Sequence, residues 1–535
     1  MKQILFNGKI YLNRGSFASA LLIEDGIIRS TGTDQAILSL QTPDTKKMNL
    51  QGKTVLPGFN DSHLHFYGTA VAHQTVDLYG STSLLDIKER SVSFLNQHPL
   101  LKGQTLFGRG WNQDYFTDEI RLINRFDLDQ ISTEYPIVFA RACGHVVSVN
   151  SKALEVLNIN KHTPQIEGGH FDVDDLSQPT GIFRENAILL LNPLQKSLSI
   201  ENRIGLLKTI SALANRYGIT SVQTNDLTLG TIESKDLEAA YHYLSTHEPT
   251  LRITHQLCFK DLEAFQNRIH KGYHLNENTF YRYGPLKLFV DGSLGARTAN
   301  MRKPYTDDPS TSGIECMSSE SLEAYVSTAN KAGIQVAIHA IGDEAMTQVL
   351  NAYQKVIDTK NPLRHGIIHC QITDKELLQR FQDMDILAYV QPIFLHYDHH
   401  IVESRVGKQL ASSSYAFKSM EDLKLHVAYG TDSPVEGLNV FHNIHCALHR
   451  QDLNDLPING FYPQEKVDLE TAIDNYTSGG AYTSFEENTK GRLTPGYVAD
   501  LVVLDQPVFS MDLSQIKKVQ VDMTMVNGAI VYTRQ

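Results

Sequence analysis

The run Pro57-Gly-Phe-Asn-Asp-Ser-His63-Leu-His65 leads an apolar segment straight into two histidines one residue apart. On a strand, positions i and i+2 share a face, so both imidazoles can point the same way and grip one metal ion. Neutral imidazole suits zinc and other borderline transition ions. The same motif also occurs as two packed or surface histidines, so its weight depends on how the other apolar segments end.

Those segments end alike. Lys287 lies within Pro285-Leu-Lys287-Leu-Phe-Val-Asp291, His339 ends Gln335-Val-Ala-Ile-His339, His369 ends Gly366-Ile-Ile-His369, and Asp432 closes His426-Val-Ala-Tyr-Gly-Thr-Asp432. Active sites of (β/α)₈ barrels are built at the C-terminal ends of strands, so ligand-type residues recurring there point to one shared site.

The elements that must carry them alternate short apolar strands with amphipathic helical stretches, as in a parallel α/β fold. Candidate strands are Thr54–Phe59, Thr220–Thr224, Arg252–Cys258, Leu286–Val290, Gln335–His339, Gly366–His369, Ile386–Gln391 and His426–Tyr429. Eight is the number that closes a TIM-type barrel. Residues 1–55 and 485–535 share a β character with tight Asn-Gly, Asp-Gly and Gln-Gly turns, and are expected to form one small β-sandwich domain. The barrel is expected over 56–484. A segment of about 71–215 is too long for a loop and reads as an insertion after the first barrel strand, over the mouth.

Composition bounds the function. The 535 residues carry 48 basic and 60 acidic side chains, a net charge of −12, with no basic block to neutralise phosphates, so a nucleic-acid partner is not expected. No apolar stretch reaches membrane-spanning length and the N-terminal segment lacks a signal-peptide core. Five cysteines are scattered singly, which suits a reducing cytoplasm. Base rates for oligomers point to a homodimer.

With these motifs in place the chain resembles the amidohydrolase superfamily, and within it the YtcJ-like metal-dependent hydrolases, also called amidohydrolase family 3. The resemblance runs over nearly the whole length. It rests on Asp-Ser-His63-x-His65, Arg141-Ala-Cys-Gly-His145, Asn150-Ser-Lys-Ala-Leu154, Lys287-Leu-Phe-Val-Asp-Gly-Ser-Leu-Gly-Ala-Arg297, His339-Ala-Ile-Gly-Asp343, His369-Cys-Gln371, Gln391-Pro392, Gly430-Thr-Asp432 and Gly496-Tyr-Val-Ala-Asp500.

The resemblance implies a centre of one or two divalent ions, zinc by first expectation. His63 and His65 would hold the more buried ion with Asp432, His339 and His369 the second, and Lys287, carboxylated by CO₂, would bridge them. A salt-bridged strand-end lysine is the plainer reading of Lys287. A water acidified by metal would lose its proton to Asp432, which would later return it to a leaving nitrogen. The expected reaction is hydrolysis of an amide-type C–N bond in an N-acyl, N-formyl or cyclic amide. A deaminase of the same superfamily is the alternative enzyme, against which Lys287 leans. A non-catalytic scaffold barrel is the alternative outside enzymes, against which the complete ligand set argues.

The expected substrate-binding set is Trp111, Arg141 and His145 of the insertion with Arg297 and Gln391; Trp111 equally fits a buried anchor. Cys143 stands where most relatives would carry aspartate, which puts the insertion's contact in doubt. His396-Tyr-Asp-His-His400 follows the seventh strand and reads as solvated or substrate-facing histidines rather than a further metal site. His442, His445 and His449 share a helical face and read as packing or wet surface.

Overall fold

In a computed structural model the described residues are all except 98, 101–103, 142–145, 167–168, 195–197, 275–276 and 359. The chain divides into two compact units, Met1–Thr69 with Ile200–Gln535, and Ala70–Ser199. The helix Ile200–Arg216 therefore belongs with the first unit, and the C-terminal edge of the insertion falls at 199 rather than near 215.

Eight parallel strands form the centre of the first unit: β1 Phe59–Leu64, β2 Ile219–Thr224, β3 Arg252–Phe259, β4 Tyr281–Phe289, β5 Val336–Ala340, β6 Gly366–His369, β7 Leu387–Val390 and β8 Val427–Tyr429. Each pairs with the next in chain order. Residues of β1 and β8 approach at the open seam. Just past β8, Asp432 N donates to His63 O at 2.8 Å and His65 N to Ser433 O at 2.8 Å. The sheet thereby curls into a nearly closed TIM-type barrel. β6, β7 and β8 are short, largely apolar and wholly buried, as required where both faces are covered.

Outer helices follow local rules. Ser318 caps Ser319–Lys331, whose Leu322, Val326 and Ala329 are buried at helical spacing. Asp374 caps Lys375–Met384, which buries Leu377, Leu378 and Phe381.

The first strand differs from its expected position. Thr54–Pro57 pairs with Leu501–Leu504 and Lys9–Asn13, outside the barrel. The exchange occurs at Gly58, whose N–H reaches Asp500 O while Phe59 N reaches Gly218 O, both at 3.0 Å. A Cβ on Gly58 would lie 2.2 Å from Thr220 Oγ1, so only glycine lets the chain pass there. Both sheets bury the 54–59 run, and hydropathy alone gives no sign of the change.

Both termini build two further sheets. Ile27–Gly32, Ala20–Glu24, Lys2–Phe6 and Lys46–Asn49 form one; Ala529–Thr533, Val521–Val526, Leu501–Leu504, Thr54–Pro57, Lys9–Asn13 and Ser16–Ala18 form the other. Leu5, Leu21, Ile23 and Ile28 of the first share a core with Ile10, Val55, Leu501, Val503 and Met525 of the second. The second unit has its own six-stranded sheet and two apolar clusters, one around Trp111 and Phe139, the other around Val147 and Phe183. Among the described residues no helix is long and apolar enough to cross a membrane.

Candidate metal centre

β1 carries His63 one residue before its end at Leu64 and presents His65 just beyond it. β4 contributes Lys287, β5 His339, β6 His369 and the turn after β8 Asp432. Register keeps the later ligands level, because Phe289 lies opposite His339 and Ala340 opposite His369.

Nε2 of His63 and Nε2 of His65 lie 3.5 and 3.4 Å from Asp432 Oδ1. Two donors on one tetrahedral zinc, with bonds of ~2.0–2.1 Å, sit ~3.3–3.4 Å apart, so these gaps match ligands sharing an ion. Ligand atoms of His63, His369 and Asp432 all lie within 4.8 Å of one another. The His369 ring centroid is 5.5 Å from that of His63 and 4.5 Å from that of His339. Buried Asp432 Oδ1 and Lys287 Nζ have no hydrogen-bond partner. Polar atoms are rarely left so in a protein interior, and here the two orphans belong to groups that suit a cation site.

Each imidazole is aimed by its distal nitrogen. His63 Nδ1 donates to Gln256 Oε1 at 2.6 Å, His65 Nδ1 to the Asn225 carbonyl at 2.8 Å, and His369 Nδ1 to Gln391 Oε1 at 2.8 Å. The Nε2 lone pairs are thereby left for a metal. His339 is turned the other way: its Nε2 donates to Gly292 O at 2.9 Å and lies 3.4 Å from Asp291 Oδ1, which leaves Nδ1 as its ligand atom. Burial drives the pKa values of His63 and His369 well below the ordinary imidazole range, and takes the Lys287 ammonium down to about 8. His369 and Asp432 occupy left-handed backbone at φ 82° and 55°, the kind of local strain that clusters at functional sites. The residues present fit one or two divalent ions.

A profile of the amidohydrolase family matches residues 46–532. The chain belongs to the amidohydrolase family. It is 30% identical over the whole of both chains to YtcJ of Bacillus subtilis (strain 168), an amidohydrolase by name. It is 26% identical to an N-substituted formamide deformylase of Arthrobacter pascens, over 97% of this chain and 96% of the relative. The crystal structure of a metal-dependent hydrolase from Pyrococcus furiosus matches with a TM-score of 0.75 at 28% identity, covering 95% of this chain and 99% of the other. The protein is thus a metal-dependent hydrolase acting on C–N bonds.

Gln391, expected at the substrate, lies in this amidohydrolase behind His369 and is buried. Arg297 pairs with Asp307 at 3.0 Å, in the segment after β4. Trp111 is buried in the second unit with Nε1 donating to Phe139 O at 3.1 Å, the anchor arrangement. Arg141 of the same unit donates to Gln113 Oε1 and Asn112 Oδ1. His145 and Cys143 lie outside the described residues.

Several residues of the amidohydrolase centre escaped the sequence reading. Gln256 positions His63 and is itself held by donating Nε2 to Ser62 O at 2.9 Å. Asp291 accepts from the backbone N–H groups of Asn300, Ile341 and Gly342 beside His339. Asp61 accepts from Thr431 Oγ1 and N, tying β1 to the turn that carries Asp432, while burial raises its carboxyl to about 7. The one available signal was a polar residue within a buried strand, which Gln256 and Asp61 both show.

Proposed function

We propose that this amidohydrolase hydrolyses the amide C–N bond of an N-formyl, N-acyl or cyclic amide, with Asp432 as general base and then acid. The observation that carries the reading is the unpartnered Oδ1 of Asp432 beside Nε2 of both His63 and His65. The formamide deformylase among the relatives supports the N-formyl class.

In this reading His63, His65 and Asp432 would hold one zinc ion, His339 and His369 a second. Zinc supplies Lewis acidity and a water acidified from ~16 towards ~7. The Asp432 carboxylate, beside both imidazoles, is placed to take a proton from the water that would add to the carbonyl carbon. It then delivers the proton to the amide nitrogen as the C–N bond breaks. Gln256, Asn225 and Gln391 keep the imidazoles in the tautomers that leave Nε2 bare. Lys287 would join the donor set as a carbamate, since an ammonium would repel cations whereas a carboxylated lysine is anionic. Its buried Nζ, which has no hydrogen-bond partner and lies 4.5 Å from the centre of the Phe289 ring, supports this role. The terminal sheets serve as a small β-sandwich beside the barrel.

The test is amine release from a panel of N-alkyl and N-aryl formamides, acetamides and cyclic amides, with metal measured in the same samples. Asp432→Asn is expected to lower kcat by ~10²–10⁴ on any substrate turned over, the range for lost acid–base catalysis. An Asp432→Asn enzyme as fast as the parent sinks the mechanism. Lys287→Ala is expected to hold fewer zinc ions per chain than the parent; an unchanged count removes the bridge.

A further inference from the structure

A second group of metal-ligand side chains lies apart from the residues described above. It joins the short helix after β7, Leu395–Asp398, and its following turn to the segment after the helix Val440–His449. We propose that His399, His400 and Asp452 hold a zinc ion that pins these two segments together.

Ligand atoms of the three residues lie within 4.8 Å of one another. His399 Nε2 stands 3.6 Å from Asp452 Oδ2, too far for a hydrogen bond and close to the spacing of two ligands on one ion. It repeats the 3.5 Å between His63 and Asp432 at the first centre. The His399 and Asp452 side chains are 7% and 4% exposed, yet His399 Nε2 has no hydrogen-bond partner. A buried ring nitrogen directed at a carboxylate but not bonded to it calls for an occupant between them.

The carboxylate is built for this. Asp452 Oδ1 accepts from the N–H groups of Asn454 and Leu456, both at 2.8 Å, which leaves Oδ2 towards His399. His445 Nε2 donates to the Asp452 carbonyl at 3.0 Å, and His396 Nδ1 accepts from Leu453 N at 3.2 Å. Both contacts hold the Asp452 segment against its histidine partners. The His399 and His400 rings pack against each other with centroids 3.7 Å apart, and each offers a nitrogen within 4.8 Å of the Asp452 carboxylate. Two imidazole nitrogens and one carboxylate oxygen form a set that zinc accepts, and the exposed side of His400 leaves its fourth position to water. Neighbouring histidines read from the sequence as solvated or substrate-facing thus become ligands once Asp452 is brought beside them.

Zinc per chain decides this, measured by elemental analysis on the full-length protein after chelator treatment, zinc loading and gel filtration. His400→Ala and Asp452→Asn should each hold one ion fewer than the parent. Zinc loading should also raise Tm less in these variants than in the parent. His400 is exposed, so its replacement tests the site even if Asp452→Asn fails to fold. Parent-like zinc content in His400→Ala overturns the proposal. Loss of zinc from His63→Ala alone, with the His400→Ala count unchanged, would leave only the centre at Asp432.

Discussion

Gln256, Gln391 and the carbonyls of Asn225 and Gly292 each hold the N–H of one imidazole, and so decide which ring nitrogen is left for a metal. Such partners are worth ~10–100-fold in metal affinity. Gln391→Leu should therefore weaken zinc binding by roughly that factor while the fold persists, as competition with a chelating dye would show. Another buried residue sets an acid limit. His255 has no partner for either ring nitrogen and packs 4.5 Å from the Tyr241 ring; burial lowers its pKa to about 4. The unfolded chain, with an ordinary pKa of ~6.5, binds this proton first, so stability falls as pH drops from ~6.5 towards 4. The loss from one such group is about 3 kcal/mol. Replacing it by leucine should make the urea midpoint fall less between pH 7 and pH 4.5 than in the parent; equal falls would refute this.

Among the elements, the seam between β1 and β8 controls the site because Asp432 reaches His63 only across it. Gly430 makes that approach possible: a Cβ there would stand 2.7 Å from His63 N and 2.8 Å from His63 O. Gly430→Ala should cost about 1–3 kcal/mol by overpacking. It should also lower zinc content by moving Asp432 off the histidines, an outcome read by thermal unfolding and elemental analysis together. The candidate ligand strands were legible because each sets a ligand-type residue in or just after an apolar run. The first strand was misplaced because Thr54–Pro57 and Phe59–Leu64 are both wholly buried, and only Gly58 separates two different sheets.

At the scale of the first unit, the terminal sheets are fastened to the barrel by a buried ion pair. Arg252 of β3 donates to Asp500 at 2.7 and 3.3 Å, and Asp500 also accepts from Asn527 N at 2.7 Å. Asp500→Ala leaves the guanidinium buried and unpaired, a loss of about 3–5 kcal/mol. Chemical denaturation should show it as a lowered midpoint; a parent-like curve would mean that the pair contributes nothing to stability. The barrel and the family could be read from the chain alone, and so could the strand ends near which His63, His65, Lys287, His339, His369 and Asp432 lie. Strand periodicity and motif order are local properties, and a strand's end is also where a barrel keeps its chemistry. What only the tertiary structure decided was partnership between distant segments. Gln256 stands behind His63, Gly430 beside β1, and Asp452 beside His399, pairings that no local pattern specifies. Their roles arise from register and closure, which bring together residues that sequence spacing keeps apart.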